Sequence, residues 1–482
     1  MLQSQTYLNN ALLPHLKQAL DEDLMRHHCR ALLGADTGAD ILSCRVTRLR
    51  YRRAQRCIIQ YEMTLKQPDD TVHTHWLAGY QYADKDRFRA RARRQKRLNA
   101  ICHPADGLLA GAVIDEIGLL LERFPFDRRI PALAPFYTCI EQVIGNNLAK
   151  ILGSQNWLLK NLFAQPVRWR IGLSSVIQLT LLVQHKRKRK TQRCNLYLKI
   201  YAPGAQADPE SGLQGLESVN RLPFKLPHRL MSDPQQKFSI LKSVEGLALD
   251  TMLLDDSANP ADARRLAGVL ARWHSSGKSL GKQYSKIIFN TVLNHSVEVL
   301  CSAAPACASR LNQLAEKIRR QMVHAIYCPA HLDLKPEHII FNASQITLID
   351  IDSAADADPM IDIALLYARL RHADTLHGLP EAASRRFGLQ FVTAYHKRVP
   401  SHWWNNFSTC YAWALLKMAV HLFESQHPDW AASIEQLLEE AELSTGRDRG
   451  RLPLLFDATA KPRPGNSALI RQQVWFNKLK LG

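Results

Sequence analysis

No two cysteines in this chain stand at C-x-x-C spacing, although ten are scattered through its 482 residues. That sets aside zinc-ribbon and thioredoxin-like readings and leaves reduced, packed thiols. The cluster RHHCR (26–30) has no second ligand group at metal-finger spacing and carries no zinc site. No run of about 18 apolar residues occurs, so no membrane span is expected. The opening MLQSQTYLNNALLPHLKQAL lacks a basic start followed by an apolar core. A secretory signal is therefore not expected, and a cytoplasmic location is.

Acidic residues are the scarcer charges: 44 Asp and Glu against 63 Lys and Arg, for a net charge of +19. Much of the excess lies in RFRARARRQKR (87–97) and HKRKRKTQR (185–193). Such runs are usually solvated faces. The alternative is attraction to an anionic partner: a phosphorylated glycan, lipid headgroups or nucleic acid. No zinc-finger or RNA-binding motif accompanies them, so nucleic acid is the weakest of the three. An apolar content of 46% with 22% charged residues describes a globular protein, and the length implies two or three domains.

Strand patterns dominate the first part after an initial helix. VTRLRYRRAQRCIIQYEMTL (46–65) alternates around a polar turn near Arg53–Gln55 and predicts a hairpin. HWLAGYQYAD (75–84) predicts a third strand, the basic run a helix, and GLLLERFPFD (118–127) a fourth strand. The same order recurs some 120 residues later: a hairpin around the glycine turn of VRWRIGLSSVIQLTLLV (167–183), then RCNLYLKIYAPG (193–204), a helix candidate over 208–222 and FSILKSVEGLALDTML (238–253). This points to a duplicated unit. Beyond residue 255 the patterns are mainly helical, with Asn259 as a cap and Pro260 in the first helical position. The expected division is a degenerate repeat over 1–150, a second unit over 151–255 and a helical unit over 256–482.

The chemistry concentrates in two segments. In CPAHLDLKPEHIIFN (328–342), Asp333 precedes an apolar strand; in ITLIDIDSAADADPMIDIALL (346–366), Asp350 follows another. A four-residue turn separates the strands, so a hairpin would bring both carboxylates to one end. Phosphoryl transfer needs that pairing: one carboxylate for the attacking hydroxyl, one for a metal ion on the nucleotide phosphates, and a lysine on those phosphates.

HLDLKPEHII resembles the H-x-D-x-x-x-x-N loop shared by protein kinases and the aminoglycoside phosphotransferase/choline kinase family. LIDIDSAADADPMIDIA resembles that family's metal-binding segment, and LYLKIYAPG and SILKSVEG its lysine strand and hinge. The resemblance implies an α+β, bilobal protein-kinase-like fold, with a β-rich nucleotide lobe, a helical C-terminal lobe and an extra N-terminal lobe-like repeat. It implies ATP and Mg²⁺ as cofactors and a small-molecule hydroxyl acceptor. By the same resemblance Asp333 is the catalytic base, His331 braces its loop and Lys335 contacts the transferred phosphate. Lys199 binds the nucleotide phosphates with Glu217 as partner, and Lys242 and Val244 form the hinge that meets adenine. Asp350 and Asp352 bind the metal, with His338 beside them, and Asp362 ties the next helix to the loop.

Two departures stand out. His338 replaces the family's asparagine, and imidazole is a softer ligand than magnesium prefers. With an ordinary histidine pKa, its protonation below about pH 6.5 would repel a cation. No G-x-G-x-x-G loop exists, so the turn IGLSSV (171–176) would have to cover the phosphates. In the first repeat Tyr80 or a neighbour stands where Lys199 stands in the second. Two readings stay open: a kinase for a small-molecule hydroxyl, such as a sugar or glycan with an anionic acceptor favoured by the charge, or a catalytically weak pseudokinase serving as a binding scaffold.

Overall fold

Alternating apolar positions build two sheets of the same design. The first contains β1 (Asp40–Arg52), β2 (Arg56–Lys66), β3 (Val72–Tyr82), β4 (Gly111–Ile114) and β5 (Leu119–Arg123), ordered β1-β2-β3-β5-β4. The second contains β6 (Trp157–Arg170), β7 (Ser174–His185), β8 (Thr191–Tyr201), β9 (Arg229–Asp233) and β10 (Phe238–Lys242), ordered β6-β7-β8-β10-β9. Strand for strand the order is identical, so the unit is repeated. The computed structural model describes residues 13–446 except 34–37, 53–54, 102–106, 205–215, 217–220, 234, 236 and 324–325. The helix expected after β8, with Glu217, lies outside the described residues. The edge strands β4 and β9 have no counterpart in the sequence reading, because neither is long enough to show alternation.

Register settles which residue matches Lys199. Strands β3 and β8 are each 11 residues long, and Tyr80 and Lys199 both stand third from the C-terminal end. Their surroundings differ. Tyr80 is buried in a core formed with Ile58, Ala78 and Leu120 of the first sheet, Ile144 and Leu148 of helix Ile140–Leu152, and Leu198 and Ile200 of the second sheet. Lys199 lies on the opposite face of β8 from Leu198 and Ile200, and reaches the aspartates of the helical lobe. The first sheet's other face, with Leu49, Tyr61, Met63 and Leu77, joins the core that continues through the helical lobe.

That lobe begins at helix Pro260–His274, whose N-terminus carries a full capping box between Asn259 and Asp262. Its stripe of Leu266, Val269, Leu270 and Trp273 is buried as the spacing predicts. Helices Met360–Arg371 and Phe407–Glu424 are apolar on nearly all sides, which places them at the centre of the lobe. Arg48 of β1 pairs with Glu424 at 2.9 Å and ties the first sheet to the end of the second of these helices. Short strands complete the lobe: β11 (Leu247–Ala248), β13 (Ile339–Phe341) and β14 (Ile346–Leu348) form one sheet, and β12 (Cys328–Ala330) pairs with β15 (Ala355–Ala357). Where β10 passes into β11, Gly246 has φ +132°, and a side chain there would strike the Phe341 carbonyl. The link between the lobes is therefore held close against the β13–β14 hairpin.

Candidate active site

The β13–β14 hairpin is the positioning device. Ile339 pairs with Leu348 at its open end, Asp333 lies upstream of that end and Asp350 just downstream. His338 sits between them, where a short 3-10 turn over Pro336–His338 enters β13. Two non-glycine residues here adopt left-handed backbone: Leu332 at φ +66° and Asp350 at φ +56°. Each costs roughly 1–3 kcal/mol and persists only where the surroundings over-determine it.

Those surroundings are visible. Asp362, fully buried, accepts the backbone N–H groups of His331 and Leu332, both at 2.7 Å. His331 Nε2–H donates to the Ile349 carbonyl at 3.0 Å, and its Nδ1 accepts the Asp333 N–H at 3.4 Å. The imidazole thus binds the two catalytic segments to each other. Asp362→Ala should leave two buried N–H groups without acceptors, at about 1–3 kcal/mol each. A denaturant titration should show a loss of at least about 2 kcal/mol; a loss near zero would remove this role.

Three nitrogen-bearing side chains meet at Asp350. Its Oδ1 accepts from Lys199 Nζ at 3.0 Å, its Oδ2 from Arg168 Nη1 at 2.9 Å, and His338 Nε2 lies 3.5 Å from the same Oδ2. Burial opposes ionisation of Asp350, but Lys199, His338 and Arg168 outweigh it and hold the carboxyl well below the usual range. Burial likewise opposes the charge on Lys199, while Asp350 and Asp352 keep it firmly protonated. Asp352 accepts from Lys199 at 3.3 Å and, burdened by burial, sits above the usual range. Asp333 pairs with Lys335 at 3.0 Å. Burial would raise its pKa, but Lys335, then Lys417, His338 and Arg369, hold it well below.

His338 departs from the sequence expectation. Its Nδ1 faces the Asp333 backbone carbonyl at 2.9 Å, so Nδ1 carries the proton and Nε2 offers a lone pair towards Asp350. Burial pushes the ring down to about 4, against Asp350 and with help from His331 and Lys335. The imidazole is therefore neutral throughout the physiological range, and the repulsion of a cation expected below about pH 6.5 does not arise there. A neutral ring with its other nitrogen fixed by a carbonyl is the form in which histidine ligates metals.

Ligand atoms of Asp333, His338 and Asp350 all lie within 4.8 Å of one another. Asp350 supplies the hard oxygens that magnesium takes, the His338 nitrogen is a softer ligand beside them, and Asp333 stands within reach of both. Asp352 stands outside this cluster and, like Asp350, pairs with Lys199. Val244 is half-buried in the link after β10, and Lys242, exposed, donates its N–H to the His228 carbonyl at 2.8 Å. His338→Asn should keep or raise activity, most visibly at low magnesium, because it replaces nitrogen by an oxygen ligand. Turnover abolished with ATP binding intact would show that the ring has another chemical role.

Four basic residues at this site were missed in the sequence. Arg168 and Arg170 alternate along β6 and reach the aspartates from the nucleotide lobe; burial, then Arg168 and Arg48, lower the pKa of Arg170, while Asp350 and Asp333 oppose. VRWR carried the signal, since residues two apart share one face of a strand. Lys417 and Arg369, on two central helices, act on Asp333 from below. Burial pushes Lys417 down to about 8 despite Asp333. No local pattern distinguishes these two from ordinary helix charges.

Residues 178–403 match the model of the phosphotransferase enzyme family. This segment is assigned to that family. The match holds Lys199, both catalytic segments and the hinge, and leaves the first sheet outside. No curated protein matches the chain. Among solved structures, a choline kinase from Streptococcus pneumoniae is similar at 13% identity and TM-score 0.43, covering 63% of this chain and 99% of its own. An ethanolamine kinase from Plasmodium vivax has 12% identity and TM-score 0.43, covering 66% of this chain and 95% of its own. A GDP complex of aminoglycoside 2'-phosphotransferase-IIIa has 16% identity and TM-score 0.42, covering 64% of this chain and 98% of its own.

Proposed function

We propose that this phosphotransferase is an ATP- and magnesium-dependent kinase acting on a hydroxyl of an anionic small molecule of the sugar or glycan class. The observation that carries the reading is the convergence of Asp333, His338 and Asp350 within 4.8 Å, with Lys199 bonded to Asp350 from the nucleotide lobe. Asp350, with His338 beside it, would hold the ion, which when bound neutralises phosphate charge. Lys199 takes the nucleotide phosphates, the turn at 171–173 covers them, and the Lys242–Val244 link meets the base. Asp333 orients the acceptor hydroxyl and receives its proton late, since a carboxylate held this far below neutrality is a weak base in the ground state. Lys335 stabilises the group in transit.

The basic surroundings favour an anionic acceptor. Arg168 and Arg170 lie on one side of the aspartates, and Lys417 and Arg369 on the other. In a panel of hydroxyl compounds, phosphorylated or carboxylated members should be turned over ahead of neutral ones. Arg170→Gln should narrow that preference at least about tenfold by raising KM for the acceptor, with ATP binding unchanged. Preference for neutral or cationic acceptors would contradict the anionic assignment. The replacement of asparagine by His338 favours the other reading, a catalytically weak scaffold, which the experiment closing the Discussion separates from an enzyme.

A further inference from the structure

The basic run at 87–97 divides in two on folding. Helix Lys85–Ile101 leaves Arg87, Arg89, Arg93, Arg94, Lys96 and Arg97 exposed, and Arg87, with half-buried Arg91 one turn on, also lines a cavity of about 350 Å³. Arg56 at the start of β2 and Arg128 and Arg129 after β5 complete its lining, so the cavity is walled by five arginines. Two are held in place. Arg128 donates to Glu122 at 3.1 Å and to the Tyr82 hydroxyl, with its guanidinium over the Tyr80 ring at 4.0 Å. Arg87 lies over the Tyr82 ring at 5.4 Å. Among the described residues only Arg128 has a carboxylate partner. Burial and Arg52, then Arg87 and Arg129, disfavour the charge on Arg56, with Tyr82 opposing them.

We propose that this cavity is a second, metal-independent site for a phosphate-bearing small molecule, such as a phosphomonoester or diphosphate. Guanidinium groups on three separate elements, with little carboxylate among them, match the several oxygens of a phosphate dianion. A volume of about 350 Å³ is at the small end of ligand cavities, enough for a phosphorylated monosaccharide and too little for a polymer. Its place in the repeat agrees. The cavity lies between the start of β2, the helix after β3 and the Tyr80–Tyr82 end of β3, the region where the second repeat presents Lys199. The first repeat lacks that lysine and both aspartate segments, so it would hold phosphate by arginine alone. The site also touches the catalytic lobe. Arg129 packs on Gly172, whose N–H, with Trp169 Nε1–H, is held by Asp127. An anion there would bear on the turn that covers the nucleotide phosphates.

Calorimetric titration of the full chain with inorganic pyrophosphate, in chelator and at fixed salt, tests this. Lys199→Ala should retain a binding event, which separates it from the nucleotide site. Arg87→Gln/Arg91→Gln should weaken that event at least about 100-fold, as expected for losing two charge-assisted contacts. Arg93→Gln/Arg94→Gln removes the same charge from the exposed side of the same helix and should leave it within a few-fold. Arg91→Lys, which keeps charge and loses the planar fork, should fall between. Absence of binding in Lys199→Ala, or equal losses in the two double variants, would overturn the proposal. If Lys199→Ala binds and only the cavity variants lose it, the site stands whether or not the chain proves to be a kinase.

Discussion

With Asp333 replaced by Ala, nucleotide affinity should stay within a few-fold of wild type while turnover falls at least about 10²-fold. The asymmetry follows from position. Asp333 is bonded to Lys335 and is acted on by Lys417 and Arg369 of the helical lobe, whereas Lys199 comes from β8 and is bonded to Asp350 and Asp352. Removing Asp333 removes the group that orients the hydroxyl and leaves the lysine and its aspartates in place. Lys199→Ala should instead weaken binding and turnover together. Equal, small effects from the two changes, measured by titration and steady-state rates, would count against both assignments.

Asp350→Ala should have the larger effect on binding: magnesium-dependent ATP affinity lost by at least about 10²-fold, with turnover undetectable. Among the described residues only Asp350 meets Lys199, Arg168 and His338 at once. Its loss removes a hard oxygen ligand and leaves Arg168 and His338 without their shared carboxylate. His338→Ala should be milder, because it deletes one ligand atom and leaves Asp350 with Lys199 and Arg168. If Asp350→Ala binds magnesium-ATP as wild type does, the metal centre lies elsewhere.

The parts of the fold written in local pattern were legible. Alternation gave β1–β3 and β6–β8, and the Asn259 cap with its apolar stripe gave helix Pro260–His274. The apolar strands flanking Asp333 and Asp350 pair as expected, since their spacing allows little else. Edge strands β4 and β9 were not legible, because so few residues carry no period. Nor was the meaning of the arginines. Arg56, the pair Arg87 and Arg91, and the pair Arg128 and Arg129 are far apart in sequence, and only the fold closes them around one cavity. The charge of His338 was misjudged for a related reason: its neutrality comes from burial and from Lys335 and His331, which no spacing rule reveals. Asp352 was expected on the metal by resemblance; in the fold it accepts from Lys199, as Asp350 does.

The central claim is that one magnesium-nucleotide site, built on Asp350 and Lys199, performs phosphoryl transfer. Its most direct test is ATP binding and ADP formation by the full chain, with and without magnesium, in wild type, Asp350→Asn and Asp333→Ala. The account predicts magnesium-dependent ATP binding at one site per chain. It predicts that Asp350→Asn loses this binding, and that Asp333→Ala keeps it while ADP formation disappears. Binding indifferent to magnesium and to Asp350→Asn would contradict the account, and binding without ADP formation in the wild type across the acceptor panel would leave the scaffold reading in its place.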